Sequence, residues 1–458
     1  METKTRVNQA HHLSTDRRHH VLYQPEDGMS IPNTNTAVTE PEILFITSYP
    51  PRECGIATYS QDLIKALNNK FNHSFHIIIC PLESENEEHT YTDDIKCILN
   101  IDQPGAFTTL AETINADEDI RMVMIQHEFG LFGAKQDEFE QFLRILEKPF
   151  VVVFHTVLPR PDELLNLKVR HIADISESVV VMTNSSAEIL MHDYDIPREK
   201  ITVIPHGTHL VPHLPKEQLK KKHQLSGKHV LSTFGLLSSG KSIETTLEAL
   251  PAIIAKDSDV LFLIIGKTHP AVMKRDGEKY RNMLEAKIAE LHLERHVQFI
   301  NTFLPLPELL EYLQLTDIYL FTSRDPNQAV SGTFSYAISC GCPVISTPIP
   351  HAREVLRNDA GVIIDFENPQ QLSEAVVNLL SDEQKRKNIS SNGLHRIAST
   401  AWENSAIAHA MLFERIAAGR ISLRYHLPSI NLDHVKKLTT EFGMIQFSKI
   451  NQPDLAWG

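Results

Sequence analysis

The chain alternates, in two successive series, between short apolar runs and amphipathic segments with helical spacing. The runs, such as ILFITS from residue 43 and VLFLII from residue 260, are continuously apolar, which is typical of strands covered on both faces of a parallel sheet. Segments such as SIETTLEALPAIIA lie between them. This alternation predicts an α/β fold with two doubly wound, Rossmann-like domains that face each other across a cleft.

The same pattern predicts where the chain divides. Residues 1–40 are polar and His-rich, with almost no apolar periodicity, and predict a disordered N-terminal arm. Two α/β domains are expected over 41–208 and 209–395, because a Pro- and Lys-rich stretch separates the two series. A further helix is expected over 396–420, and a tail that forms no third domain over 421–458.

Composition excludes several classes of protein. A formal net charge of −14 disfavours a general nucleic-acid or anionic-membrane surface. No apolar run reaches about 18 residues, so no transmembrane segment is predicted, and the N-terminus lacks the apolar region of a secretory signal. Five scattered cysteines fit a reducing compartment. We therefore expect a cytoplasmic protein without a nucleic-acid partner.

The stretch Asp317–Thr347 predicts a phosphate site at the edge of the second sheet. An apolar run is followed by a polar loop, by Ser331-Gly332-Thr333, by a short helical segment and by a second apolar run. A strand that leads through small residues into a helix presents free backbone N–H groups and the positive end of the helix dipole. Open α/β sheets bind ligands at this carboxyl edge.

Lys241 is a second candidate for phosphate binding. It follows the loop STFGLLSSG, which lies after a predicted strand and before a predicted helix. A cation at a helix N-terminus opposes the helix dipole, so the position is unfavourable unless an anion lies between them. The alternative is a solvated lysine, and the pattern favours the anion site.

The first series contributes weaker candidates. His155 ends the run VVVFH at a predicted carboxyl edge, where it either orients a sugar or is a hydrogen-bonded core residue. Gly55 follows YPPREC and opens either a phosphate loop or an ordinary strand-to-helix turn. His127 and its neighbour Glu128 are interpreted as a loop wall in preference to an acid–base pair. His206 is interpreted as part of a hinge or turn.

Residues 43–418 resemble glycosyltransferase family 4, whose members are retaining, nucleotide-sugar-dependent enzymes with the GT-B fold. The matching parts are YPPRECGIAT, VVVFHT, PHG, FGLLSSGK and the stretch GCPVIST at Gly341–Thr347. The resemblance implies acceptor contacts in the first domain and the donor nucleotide in the second. It also implies a C-terminal helix that returns to the first domain, and a nucleoside diphosphate sugar as substrate with no metal or other cofactor.

The sequence departs from the usual family pattern at the donor site. Gln328 and Tyr336 stand where the family usually has two glutamates, and Leu236 stands where it usually has an arginine, whereas Lys241 is kept. A subgroup that also carries YPPRECGIATF has the motif Q-x-x-S-G-T-L-x-Y-A, which this chain resembles closely. The departure is therefore expected to be a subgroup feature.

The resemblance also implies roles for individual residues. His155, Lys241 and Gln328 are the catalytic candidates, with His155 at the transferred sugar and Gln328 hydrogen-bonded to its hydroxyls. Small residues and one cation are expected to contact the donor phosphates, namely Gly55, Gly235, Lys241, Ser331, Gly332 and Thr333.

The tail suggests a partner. Its sequence LPSINLDHVKKLTTEFGMIQ resembles the segment that opens a C-terminal glycosidase-like helical domain in fused members of the subgroup. The resemblance implies either a separate glycosidase-like chain or a truncated protein. A coincidental polar tail is the alternative.

Three functions follow from the sequence. The first is a retaining glycosyltransferase of carbohydrate metabolism or polysaccharide biosynthesis, which moves mannose or glucose from a nucleoside diphosphate sugar to a sugar acceptor. The second is a phosphate-dependent sugar phosphorylase of the same fold. The third is a catalytically weak or inactive binding partner of a glycosidase.

Overall fold

The first half of the chain folds around a seven-stranded sheet. The computed structural model describes residues 40–84, 89–132 and 135–424, and side chains as far as residue 419. The first seven strands are β1 (Glu42–Thr47), β2 (His76–Glu83), β3 (Leu99–Asn100), β4 (Ile120–His127), β5 (Phe150–Phe154), β6 (Ser178–Val181) and β7 (Ile201–Val203). They are all parallel and lie in the order β3-β2-β1-β4-β5-β6-β7.

The second half of the chain forms a six-stranded parallel sheet. Its strands are β8 (His229–Phe234), β9 (Val260–Ile265), β10 (Val297–Ile300), β11 (Ile318–Phe321), β12 (Val344–Ser346) and β13 (Val362–Ile363). They lie in the order β10-β9-β8-β11-β12-β13. The strand order reverses beside β8, so the loops after β8 and β11 flank the position where such sheets bind ligands.

Helices connect the strands in both halves. In the described residues they are α1 (Gly55–Phe71), α2 (Ala106–Ala116), α3 (Phe129–Phe132), α4 (Gln136–Ile145), α5 (Glu163–Ile175), α6 (Asn184–Asp193), α7 (Lys216–Lys222), α8 (Ile243–Ile254), α9 (Pro270–Asp276), α10 (Lys279–Glu290), α11 (Leu306–Leu315), α12 (Gly332–Ser339), α13 (Pro350–Val355), α14 (Pro369–Ser381), α15 (Glu383–Ile397) and α16 (Trp402–Arg424).

Strand side chains are buried on both faces of the first sheet, as the continuous apolar runs predicted. In β1, Leu44 and Ile46 belong to one apolar cluster while Ile43 and Phe45 belong to the cluster on the opposite face. Each buried aliphatic side chain contributes roughly 1.5–3 kcal/mol to stability. The two parallel sheets confirm the predicted α/β class with two doubly wound halves.

The last helix packs against the first sheet's helical layer. Trp402, at the start of α16, lies with its indole centroid 5.3 Å from the Tyr59 ring of α1, and Phe413 meets Phe75 edge to face. The expected helix over 396–420 therefore begins later, at Trp402, because α15 continues to Ile397. The expected arm and most of the expected tail, at residues 1–39 and 425–458, lie outside the described residues.

Candidate functional site

Two predicted donor residues meet beside the loop that follows β8. Gly235 comes directly after the strand and has a φ of +122°. A Cβ atom on this glycine would lie 2.9 Å from Lys241 Nζ and 3.0 Å from Thr333 Cγ2. The structure thus brings Gly235, Lys241 and Thr333 together, because the loops after the neighbouring strands β8 and β11 end at the same sheet edge.

Lys241 is a largely buried cation with no ion-pair partner among the described residues. Its Nζ has only a long hydrogen bond, of 3.5 Å, to the carbonyl oxygen of Phe234. Burial lowers the pKa of Lys241 to about 8. Because a buried ammonium group without a counter-charge is costly, this position favours a bound anion.

A positive charge from each half of the chain lies near His269. Arg52, in the loop after β1, is near enough that it and Lys241 add to burial in lowering the pKa of His269. The loop is also tied to the second half, since Glu53 forms an ion pair with Lys267, which follows β9. Loops at the carboxyl edges of both sheets therefore converge on one cationic region.

The N-terminus of α12 completes this region. Ser331 is the N-cap residue, and its Oγ accepts from the Phe334 N–H and lies 3.0 Å from Thr333 Oγ1. The Ser331 N–H donates to His351 Nδ1 at 3.1 Å. Gly332 and Thr333 are the first two helical residues, whose N–H groups have no acceptor within the helix. An anion next to Lys241 would also meet these donors.

Gln328 lies in the loop between β11 and α12 and is held by the chain itself. Its side-chain Oε1 accepts a hydrogen bond of 2.7 Å from Ser323 Oγ, and its backbone N–H donates to the carbonyl oxygen of Asp325 at 3.3 Å. With the amide oxygen engaged, the amide NH₂ is the group of Gln328 that remains to bind a ligand oxygen.

Tyr336, at the second position where the resemblance places a glutamate, joins the two halves of the molecule. Its hydroxyl donates to Asp62 Oδ2 of α1 at 2.6 Å. His209 Nε2 lies 3.0 Å from the same carboxylate oxygen and 3.2 Å from the tyrosine oxygen. Burial, followed by the charge of Asp62, raises the pKa of Tyr336 well above its ordinary value, so the phenol stays protonated and keeps donating to Asp62.

His155 follows β5 and is a neutral, largely buried side chain. Its Nε2 lies 2.8 Å from Gln126 Oε1; because an amide oxygen only accepts, Nε2 carries the proton and Nδ1 is left as an acceptor. Burial, with the neighbouring His206 and His127, lowers the pKa of His155 to about 3. The imidazole therefore offers hydrogen bonds rather than charge.

His206, which the sequence suggested is part of a hinge or turn, lies against the donor region. It follows β7, and a Cβ atom on Gly332 would lie 3.2 Å from its Nε2. Its ring centroid is 5.1 Å from that of Tyr59, which also contacts His155. The signal available in the sequence was its place after the last strand of the first series, at the carboxyl edge.

The remaining candidates are Gly55, His127 and Glu128. Nothing lies within 4 Å of a Cβ atom built on Gly55, so the structure does not bring this residue into contact with the Lys241 group. His127 is buried among four aromatic rings, and burial lowers its pKa to about 4. Glu128 accepts from Thr156 Oγ1 at 2.6 Å.

The described residues contain no cluster of three or more His, Cys, Asp or Glu side chains able to hold a metal ion. They also contain no helix whose length and hydropathy would let it cross a bilayer.

The affinity for a nucleoside diphosphate should depend on pH through Lys241. Below about pH 8 the ammonium is charged, and above it the charge is lost, whereas the diphosphate stays ionised above about pH 7. We expect the dissociation constant of GDP or UDP to rise about tenfold between about pH 7 and pH 9. Isothermal titration calorimetry at both values measures this rise, and a constant affinity would contradict it.

Family models match both halves of the chain. The model described as Glycosyltransferase Family 4 matches residues 54–211, and the model described as Glycosyl transferases group 1 matches residues 215–396. The strand β7 and the exit loop that carries His206 fall in the first match, and Lys241 and Ser331–Thr333 fall in the second.

Curated relatives are distant. The chain is 23% identical over 283 residues to spore coat protein SA of Bacillus subtilis strain 168, covering 58% of this chain and 72% of that protein. It is 22% identical over 253 residues to the D-inositol 3-phosphate glycosyltransferase of Corynebacterium glutamicum strain R, covering 53% of this chain and 58% of that enzyme. The chain thus spans little more than half the length of that second relative.

Solved structures share the fold. Anabaena HepE in complex with UDP-glucose superposes with a TM-score of 0.64 at 16% identity, over 82% of this chain and 99% of that one. Sucrose-phosphate synthase of Thermosynechococcus elongatus gives 0.66 at 17% identity, over 83% and 100%. Both likenesses confirm the predicted GT-B fold. With one family model on each half, the chain is a family 4-like member of the GT-B glycosyltransferases.

Proposed function

We propose that this protein is a retaining glycosyltransferase that moves a hexose from a nucleoside diphosphate sugar to a sugar acceptor. The observation that carries the proposal is the meeting of Lys241 Nζ and Thr333 at Gly235, beside the N-terminus of α12. Lys241 is a buried cation with no carboxylate partner within the described ranges, and it lies next to free helical N–H groups. This arrangement has the chemistry that a diphosphate requires.

The chain's own residues would act mainly on the leaving group. When the bond between the sugar and the diphosphate breaks, negative charge builds up on the diphosphate. Lys241 and the N–H groups of Gly332 and Thr333 would stabilise that charge. Such preorganised electrostatic stabilisation is usually the largest single contribution to catalysis.

Neutral groups would hold the sugar. His155 would offer its Nδ1 and Gln328 its amide NH₂ to hydroxyl groups, as the resemblance implies. The acceptor is assigned to the first domain, over 41–208, and the donor to the second, over 209–395. Closure about the linker at 208–226 would exclude water and so suppress hydrolysis of the donor.

The donor is proposed from chemistry shared with relatives. A Corynebacterium glutamicum relative, 23% identical over 169 residues, is named a GDP-mannose-dependent mannosyltransferase, and HepE was solved with UDP-glucose. We propose mannose from GDP-mannose first and glucose from UDP-glucose second. A cytoplasmic location and a separate glycosidase-like partner chain remain part of the proposal.

The decisive experiment combines binding and turnover. The purified protein is incubated with GDP, UDP and ADP, and the ligand that raises the melting temperature identifies the base, since a ligand bound only by the folded state stabilises it. The matching nucleotide sugars are then offered with sugar acceptors, and NMR follows the anomeric configuration of the product. We expect transfer with retention. Inverted product would contradict the retaining assignment, and binding of no nucleotide would contradict the whole proposal.

One observation favours a second function, a binding protein with little or no transferase activity. Tyr336, at a position where the resemblance places a glutamate, is committed to Asp62 and His209. A non-catalytic protein would bind the nucleotide sugar but transfer nothing to any acceptor.

The same assay with inorganic phosphate and a disaccharide, but no nucleotide sugar, tests the phosphorylase alternative, because only a phosphorylase would then release a sugar phosphate.

A further inference from the structure

His206 carries an unused hydrogen-bond acceptor at the start of α12. The residue is 9% exposed, and a Cβ atom on Gly332 would lie 3.2 Å from Nε2 and 3.5 Å from Cε1. Within the described part of the chain, Nε2 has no hydrogen-bond partner, whereas Nδ1 has one. This nitrogen is therefore available to accept a hydrogen bond from a ligand bound at the start of α12.

The tautomer of His206 follows from its other nitrogen. Nδ1 lies 2.7 Å from the carbonyl oxygen of Gly207. A carbonyl oxygen only accepts, so Nδ1 must carry the proton. Burial lowers the pKa of His206, which keeps the ring neutral, and Nε2 then presents a lone pair. The group that meets Nε2 must therefore be a hydrogen-bond donor.

The need for a hydrogen-bond donor distinguishes the phosphate groups of a nucleotide sugar from its hydroxyl groups. Phosphate oxygens are acceptors and would be repelled by the lone pair, and they are already provided for by Lys241 and Thr333. A hydroxyl group donates and fits. His206 and His155 both contact Tyr59, with ring centroids 5.1 Å and 4.9 Å from that of the tyrosine, and His206 is near enough to help lower the pKa of His155. His155 is the residue proposed to hold the transferred sugar.

We propose that His206 Nε2 accepts a hydrogen bond from a hydroxyl group of the transferred sugar, and so helps to select the donor. The inference rests on the proposed function, because it takes the anion at Lys241 to be the diphosphate of a nucleotide sugar. His206 Nε2 would be a hydrogen-bond acceptor for the sugar that Gln328 and Tyr336 do not provide, because Gln328 Oε1 is bonded to Ser323 and the tyrosine hydroxyl to Asp62.

The test compares a nucleotide with its sugar. Isothermal titration calorimetry measures binding of GDP and GDP-mannose, and of UDP and UDP-glucose, to the wild type and to His206→Phe. Losing one hydrogen bond costs about 0.5–1.5 kcal/mol, so we expect the nucleotide sugar to bind about 3- to 10-fold more weakly. The affinity for the nucleotide alone should not change. If His206→Phe does not fold, His206→Leu applies the same test with a smaller side chain.

The control is His296→Phe, because His296 precedes β10 at the opposite sheet edge and its ring Nδ1 lies 2.9 Å from the carbonyl oxygen of Val260. It should bind all four ligands like the wild type. If His206→Phe loses affinity equally for the nucleotide and the nucleotide sugar, the contact belongs to the ribose and the inference is overturned. Unchanged affinity for both ligands also overturns it. A wild type that binds none of the four ligands refutes instead the proposed function.

Discussion

Lys241→Gln is expected to lower kcat/KM for sugar transfer by about 100- to 1,000-fold, the range measured when one preorganised charge-stabilising group is removed from an active site. The substitution removes the positive charge but keeps most of the side-chain length. Lys241 Nζ lies beside Gly235 and Thr333, where charge would develop on the leaving diphosphate. Steady-state kinetics with a nucleotide sugar and an acceptor measures the loss.

The control for this prediction is a lysine at the other end of the same strand. Lys228 precedes β8 and pairs with Asp259 at 3.6 Å, whereas Lys241 follows β8 and has no ion-pair partner in the part of the chain that the structure describes. Lys228→Gln should leave kcat/KM within about twofold of the wild type, because exposed ion pairs contribute little. Both variants should keep the wild-type melting temperature to within a few degrees. Equal activity of the two variants would remove Lys241 from the mechanism.

Local sequence patterns were sufficient to predict the architecture. The run FVVVF, for example, is β5, and its side chains are buried on both faces of the sheet. The proximity of Lys241 to Thr333 could also be predicted from the sequence, because both residues follow strands of one sheet and the loops at one sheet edge converge. These predictions needed only periodicity, helix-start chemistry and the rule for where parallel sheets bind ligands.

Contacts between the two halves could not be predicted from local sequence patterns. Asp62 on α1 meets Tyr336 on α12, which is 274 positions later, and no local pattern in either helix indicates the other. His206 was interpreted as part of a hinge or turn for the same reason. The role proposed for it rests on its contact with Gly332, and that contact is set by how the two halves pack together, which periodicity does not report.

Gly235→Ala is expected to impair both folding and donor binding. The φ of +122° at this position is one that residues with a side chain rarely adopt, which costs about 1–3 kcal/mol. The added methyl group would also lie 2.9 Å from Lys241 Nζ and 3.0 Å from Thr333 Cγ2. The lysine must then move away from the phosphate position, so we expect the affinity for GDP or UDP to fall at least tenfold.

Gly240→Ala is the control, because it tests whether any alanine substitution in this loop lowers stability and nucleotide affinity. Gly240 lies in the same loop, but its nearest neighbour to an added Cβ is Ser238 Oγ at 3.7 Å, an ordinary contact, and its φ is not positive. Urea unfolding and calorimetric titration of both variants should therefore show a loss of stability and of nucleotide affinity for Gly235→Ala alone. If Gly235→Ala loses stability but binds nucleotide like the wild type, the anion does not lie beside Lys241 and Thr333, and the donor site must be sought elsewhere in the cleft.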